Sequence, residues 1–441
     1  MVVTSKASDT QELIEELQKH VSGEVRFDKM SRALWSTDAS IYQIEPVGVV
    51  LPRNDEDVIA VIETAHKYGV TVLPRGGGTS LAGQTVGESI VVDFSRYMKS
   101  MGEVNTEEGW VKTQPGIILD ELNAQLSPHG VMFAPDPSTS SRGNVGGALG
   151  NNSCGAHSIL WGKTVDNVYD LNVVLSNGDR AKFEYLSGDT LEEKLRISGL
   201  EGDIYKNLFA IGEKNRDEIL ARYPKIQRRV SGYNLDEFVS GSNFNMARFV
   251  VGSEGTLLTI TEAKLKVVPV PKIKGLGVLH CNDLNESMEA TVAAIEMEPA
   301  AVELIGSMII KQAQSNLAYS RLTSFIEGSP EALLVIELIA DTDLELQSRF
   351  DELETRMGKG GWGYKLLRMT DPTDQQKVWD VRKAGLGLMM NVPGEAKPLP
   401  FVEDTAVSPE VLPEFVKRFD QIIKKNGTEA GYYGHASVGC L

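Results

Sequence analysis

The run Pro74-Arg75-Gly76-Gly77-Gly78-Thr79-Ser80-Leu81-Ala82-Gly83-Gln84-Thr85 crowds small and hydroxylated side chains behind a short apolar strand. Three phosphate-binding chemistries can be tested against it. A dinucleotide fingerprint, G-x-G-x-x-G, fails, because counting from Gly76 puts Leu81 at the third glycine position. A P-loop comes closer: Gly78 and Gly83 keep the spacing and Thr85 supplies the hydroxyl. Gln84, however, stands where the phosphate-binding lysine belongs, which argues against an NTPase. What remains is a nest, in which successive glycines let backbone N–H groups converge on an anion while Thr79 and Ser80 add hydroxyl donors. Such a loop suits a pyrophosphate that is held but not transferred. A tight surface turn is the plain alternative, and three consecutive glycines after a buried strand and an arginine count against it.

Other segments also bear on chemistry. From Pro135 to Gly155 the chain carries almost no bulky side chain, as a wall against a flat ligand would, or a flexible loop. Gly252-Ser253-Glu254-Gly255-Thr256-Leu257 is a third small-residue turn, placed before a strand. Arg382, within Trp379-Asp380-Val381-Arg382-Lys383, and Lys397, within Ala396-Lys397-Pro398, read on residue type alone as two solvated charges. His435 sits in a glycine-rich strand near Cys440 and Leu441. With one histidine and no carboxylate near it in sequence, a divalent-metal site there is incomplete. Cys154 and His157 have a C-x-x-H spacing, but no second pair completes a zinc site.

The three glycine-rich segments, in this order, resemble the FAD-binding domain of the vanillyl-alcohol oxidase superfamily. Within it they are most similar to the D-lactate, glycolate and D-2-hydroxyglutarate dehydrogenase branch, over nearly the whole chain from about Val47. The resemblance implies that Pro74, Arg75, Gly76, Gly77, Gly78, Thr79, Ser80, Leu81, Gly83 and Gln84 cradle the FAD pyrophosphate. It implies that Asp136, Pro137, Ser138, Gly146, Gly147, Asn152 and Gly155 line the ribityl chain and flavin, with His157 within reach of the flavin. Gly252, Glu254 and Gly255, with Ile260 beyond, would complete the site.

On the substrate side the resemblance makes Arg382 and Lys397 a clamp for a 2-hydroxy acid carboxylate, the arginine bidentate and the lysine a point charge. Some members carry a hydroxyl residue four positions after the arginine. Here that residue is Leu386, which puts recognition of a second carboxylate by that route in doubt. His435 matches the first histidine of a G-H-x5-L-H metal motif whose second histidine would fall just past Leu441. A truncated chain is therefore expected, with a zinc, manganese or iron ion held in the complete protein and an iron–sulfur cluster in a domain outside this chain.

The implied activity is FAD-dependent oxidation of a D-2-hydroxy acid to the 2-oxo acid, the electrons passing to an acceptor not identified by sequence. The alternatives are an oxidase of another alcohol or sugar, which would lack Arg382, Lys397 and the terminal G-H pair, and a flavin-binding fragment without turnover.

These residues need elements to hold them. Val47–Leu51 reads as a buried strand, Asn54 as the cap of a helix with Val58, Val61, Ile62 and Ala65 on one face, and Val70–Leu73 as a second strand. This β-α-β unit would present the glycine loop at a strand's carboxyl end. A strand Ile90–Asp93 follows. Asn177-Gly178 predicts a type I′ hairpin, and Pro269 with Pro271 marks a boundary. Beyond it, strands near 277–280, 333–339 and 364–367 and helices over 284–296, 344–357 and 372–391 suggest an antiparallel α+β domain. Ser408-Pro409-Glu410 would open a last helix ending at Gly427.

The expected fold is α+β: an N-terminal helical segment (1–45), a two-subdomain PCMH-type FAD-binding domain (46–271) and an incomplete antiparallel-sheet cap domain (272–441). The 441-residue length fits two or three domains at about 150 residues each. The net charge of −17 argues against a nucleic-acid surface. Three scattered cysteines point to a reducing compartment. With no apolar leader and no transmembrane run, a cytoplasmic protein is expected, or one peripheral to the membrane through its acceptor. A homo-oligomer is left open.

Overall fold

A computed structural model describes residues 7–239, 243–400 and 402–441; residues 1–6 of the expected N-terminal segment lie outside the described residues. The chain divides into two compact units. The first comprises the described residues of Met1–Cys154, Lys163–Pro224 and Val230–Pro269; the second comprises Gly155–Gly162, Lys225–Arg229 and Val270–Leu441. A linear reading does not show that two short segments leave the first stretch of chain to join the second unit.

The first unit begins with helix Ala7–His20 and strand Glu24–Arg26, so its N-terminal segment is more than helical. A four-stranded sheet runs in the order Glu24–Arg26, Gly48–Leu51, Ile90–Asp93, Val72–Arg75. The two strands of the expected β-α-β unit are not neighbours: both pair in parallel with Ile90–Asp93, which lies between them. The connecting helix Asp55–Tyr68 starts where Asn54 accepts the Asp57 amide at 2.9 Å. Its Val58, Val61, Ile62 and Ala65 are buried with Val50, Ile90 and Val92. Each such aliphatic side chain contributes roughly 1.5–3 kcal/mol by leaving water. The second strand starts two residues later than Val70, because Val70 N–H closes the helix onto Ala65 O at 2.9 Å.

A five-stranded antiparallel sheet follows, in the order Met101–Asn105, Trp110–Thr113, Thr259–Lys266, Val168–Val174, Arg180–Phe183. The hairpin at Asn177-Gly178 forms, with Val174 opposite Arg180, but its turn is not type I′. Gly178 has φ +87° and Asn177 is not in the left-handed region. Gly178 N–H bonds to Leu175 O at 3.0 Å and Leu175 N–H to Asp179 O at 2.9 Å, which makes a three-residue loop with a glycine bulge.

In the second unit every strand pair is antiparallel: Lys365–Met369, Ile273–Cys281, Ala332–Ala340, Ala301–Gly306 and Tyr433–Gly434 lie side by side in that order. Helices cover both faces. Leu284–Ile295, Asp343–Gly360 and Leu412–Lys425 pack with Leu279, Val302, Leu334 and Ile336; Ser307–Ser315 and Pro372–Met390 pack with Val278, Ile305, Leu333 and Val335. The helix expected over 372–391 is two helices, Pro372–Lys383 and Gly385–Met390, parted at Ala384. Ser408 makes no side-chain cap; a short 3-10 turn at Pro409–Val411 leads into the last helix. No helix among the described residues is long and apolar enough to cross a membrane.

Candidate functional site

In the first unit the three glycine-rich segments meet. Gln84 Nε2 donates to Glu254 Oε1 at 3.3 Å across 170 positions of sequence. Glu254 N–H donates to Gly150 O, and Gly252 N–H to Leu149 O, each at 2.9 Å. The first and second segments touch where a Cβ on Gly77 would lie 2.3 Å from Arg142 O and one on Gly76 2.9 Å from Asn144 Oδ1. Only glycine allows that approach. Glu254 itself sits at φ +52°, a conformation that costs a non-glycine residue on the order of 1–2 kcal/mol.

The second segment is not an extended wall. Val145–Asn151 forms a short helix whose Val145, Ala148 and Leu149 are buried and whose Gly146 lies against Pro115. Thr79, Ser80, Leu81, Gly83, Asp136 and Pro137 are half-buried and Ser138 is exposed. Ile260 lies on the strand Thr259–Lys266, opposite Val173. Asn152 is engaged structurally, its Oδ1 accepting Val165 N–H at 3.0 Å. Arg75 turns its guanidinium toward backbone carbonyls of Trp35, Thr37 and Thr85.

Two observations test whether these residues suit the FAD that the resemblance implies. Gln84 Oε1 and Asn144 Oδ1 are buried acceptors without a hydrogen-bond partner. Such atoms cost roughly 1–3 kcal/mol unless something donates to them. Gly147 is exposed, and a Cβ there would meet no atom within 4 Å. Unsatisfied acceptors on two of the converging segments and an exposed glycine on the second fit a ligand rich in hydroxyl and amino donors.

The second unit holds a buried ionic network on one sheet face. Glu303, on Ala301–Gly306, is fully buried. Its Oε1 lies 2.8 Å from His435 Nδ1, and its Oε2 lies 2.7 Å from Arg382 Nη2. The Arg382 approach lacks hydrogen-bond alignment, and Arg382 Nε, also buried, has no partner. The Arg382 guanidinium lies 5.2 Å from the centre of the Tyr433 ring. Two strand positions away on the same face, Glu337 accepts His157 Nε2 at 2.9 Å, with Lys274 Nζ at 3.8 Å. The His157 ring lies tilted against those of Trp161 and Trp379 at centroid distances of 5.2 and 5.8 Å, and it belongs with Gly155 to the second unit rather than to the glycine-rich loops. Arg228, buried, pairs with Asp404 at 2.9 Å, and Cys440 Sγ lies 3.4 Å from the same carboxylate oxygen. Burial, then the neighbouring Asp404, pushes the Glu403 carboxyl up to about 7.

His435 therefore does have a carboxylate partner, supplied by a strand more than a hundred residues earlier. Glu303 was overlooked because the segment Ala300-Ala301-Val302-Glu303-Leu304-Ile305 reads as ordinary apolar sequence; its signal was a lone carboxylate in the middle of a buried run. Arg382 and His435 are joined through it. Lys397 is not: it is exposed, its Nζ donates to Val392 O at 2.6 Å, and nothing links it to Arg382. Among the described residues no group of three or more histidine, cysteine or acidic side chains is placed to hold a metal ion. One histidine and a carboxylate already shared with an arginine do not make a metal set.

Comparisons with known proteins bear on the family and the fold. Residues 46–184 match a family model described as FAD binding domain, and residues 270–441 match FAD linked oxidases, C-terminal domain. The chain is 32% identical over 436 residues to D-2-hydroxyglutarate dehydrogenase of Pantoea ananatis, covering 95% of this chain and 42% of that protein. It is 32% identical over 440 residues to the protein of the same name from Escherichia coli K12, covering 96% and 43%. Glycolate oxidase subunit GlcD of Bacillus subtilis is 26% identical over 427 residues, covering 96% and 78%. The chain thus spans under half the length of the D-2-hydroxyglutarate dehydrogenases it matches. The solved structure of alkyldihydroxyacetonephosphate synthase shares the fold, with a TM-score of 0.63 at 19% identity over 94% of this chain and 75% of that one.

Proposed function

The chain belongs to the PCMH-type FAD-linked oxidase family, and on that premise we propose that it oxidises a D-2-hydroxy acid to the corresponding 2-oxo acid. The substrate type is that of D-2-hydroxyglutarate, D-lactate or glycolate, with D-2-hydroxyglutarate favoured by the names of its more similar relatives. The domain division at about Pro271 and the roles of the loop residues belong to the same proposal.

The observation that carries the reading is Arg382. A buried guanidinium with a desolvated, unpartnered Nε is arranged to accept an anion that arrives later. Glu303 neutralises the arginine while the site is without that anion and orients His435. Because Glu303 occupies Nδ1, the neutral His435 ring carries its lone pair on Nε2.

Bound FAD supplies the two-electron acceptor for the C2 hydride. The residues of this chain do the rest. Arg382 holds the substrate carboxylate and fixes which face of C2 is presented. His435 Nε2 receives the hydroxyl proton as the carbonyl forms. The half-buried Tyr433 ring, 5.2 Å from the Arg382 guanidinium, covers one side of it. Electrons then leave for an acceptor outside this chain.

Anaerobic mixing of the flavin-loaded protein with D-2-hydroxyglutarate, D-lactate and glycolate tests the proposal. Bleaching of the flavin absorbance by one of the D-acids and not by its L-enantiomer is expected. Bleaching by none of them contradicts it.

A further inference from the structure

The glycine loop is fastened from outside the residues that match the FAD-binding family model, which begin at residue 46. Between Trp35 and Gln43 the chain forms a small bridge, Thr37 to Gln43, and lays it along the loop. Arg75 is the fastening. Its Nη1 donates to Trp35 O at 3.2 Å and to Thr85 O at 2.8 Å, and its Nη2 to Thr37 O at 2.7 Å. Three of the five guanidinium N–H groups thus tie both ends of the glycine loop to the strap. Around this centre Ala39 N–H bonds to Gly78 O at 3.0 Å, Thr85 Oγ1 donates to Asp38 Oδ2 at 2.9 Å, and Trp35 Nε1 donates to Asp93 Oδ2 at 2.7 Å.

Two of the loop glycines answer to this strap. A Cβ on Gly78, at φ +63°, would lie 2.4 Å from Arg75 Nη2; one on Gly83, at φ +84°, would lie 2.6 Å from the Tyr42 ring. The guanidinium and the tyrosine occupy the space that side chains would take. A loop of this composition has many conformations open to it, so something must hold the one that converges its N–H groups.

We infer that the Trp35–Gln43 strap, through Arg75, holds the glycine loop in its cofactor-binding shape, and that Arg75 is a positioning residue for FAD rather than a ligand of its phosphates. The inference rests on the FAD reading above. It makes the FAD affinity of the loop depend on residues outside the glycine loop, Asp38 foremost.

The 441-residue apo-protein titrated with FAD, followed by flavin fluorescence, measures this. Arg75→Gln is expected to weaken FAD by about tenfold or more and Asp38→Ala by about threefold to fivefold, the loss of one to three positioning hydrogen bonds. Arg75→Lys, which cannot reach three carbonyls at once, should recover only part of the loss, and added salt should leave the ratios between variants unchanged.

Chymotrypsin cleavage after Tyr42, which is 52% exposed, gives a second readout on the wild-type chain: FAD should slow it, and should not do so in Arg75→Gln. Thermal unfolding of each apo variant separates loss of fold from loss of fastening. If Arg75→Gln fails to fold, Asp38→Ala and the wild-type cleavage still decide. Asp38→Ala binding FAD like wild type, or cleavage at Tyr42 indifferent to FAD, overturns the strap. A wild-type chain that takes up no FAD defeats the cofactor reading instead.

Discussion

Arg382 Nη2 stands 2.7 Å from Glu303 Oε2, with both side chains withdrawn from solvent on the same face of the second unit's sheet. A guanidinium and a carboxylate held this way lose hydration that their attraction must offset, so either one alone is strongly unfavourable. Glu303→Gln leaves Arg382 with a neutral neighbour. Urea unfolding should show a loss of about 3 kcal/mol, and kcat/KM toward the D-2-hydroxy acid should fall at least about a hundredfold. Unchanged stability would mean that the pair is solvated.

Arg382→Lys keeps the charge and removes the planar fork. The KM for substrate should rise about tenfold to a hundredfold while FAD binding is unaltered. Lys397→Met, in an exposed loop with its amine on Val392 O, should raise KM by less. Steady-state kinetics on the two variants side by side decide which cation holds the carboxylate.

Much of the first unit was legible in the sequence because it obeys local rules. Asn54, the apolar face of the helix 55–68 and the triple glycine each announce themselves within a few residues. The buried ionic network of the second unit was not so legible. Glu303, His435 and Arg382 are brought together by strand order and by a helix packed across the sheet, and no window of sequence contains two of them. The pairing of Val72–Arg75 with a strand that comes later in the chain escaped for the same reason. The partners of Arg75 were hidden by distance as well: the resemblance counts it with the FAD loop, and its N–H groups meet carbonyls contributed by residues 35 and 37, some forty positions earlier.

Glu403 gives the second unit a pH signature. Burial, and then Asp404, lifts its carboxyl from 4.5 to about 7. A carboxyl whose folded pKa is raised holds its proton longer when folded, so its contribution to stability is full below the unfolded value and is lost as pH rises through about 7. Glu403→Gln should therefore be more stable than wild type at about pH 8, by on the order of 1 kcal/mol, and the difference should shrink toward about pH 4. Chemical denaturation at the two pH values checks the slope.

His280 acts in the opposite sense. It is fully buried, its Nδ1 3.2 Å from Val278 O and its Nε2 accepting Glu327 N–H at 3.2 Å, an arrangement that requires the neutral ring. Burial holds its pKa below the ordinary 6.5. The unfolded chain then takes up the proton first, so stability is present above 6.5 and is lost as pH falls below it. His280→Gln should flatten the acid limb of the stability curve; an unchanged limb would assign that limb to other groups.

The most direct test of the whole account is the absorption spectrum of this purified chain during titration with FAD. Convergence of the three loops predicts saturable uptake of one flavin per chain, with the visible bands shifted and the flavin fluorescence altered. A chain that leaves the spectrum of added FAD unchanged at saturating concentration would contradict it.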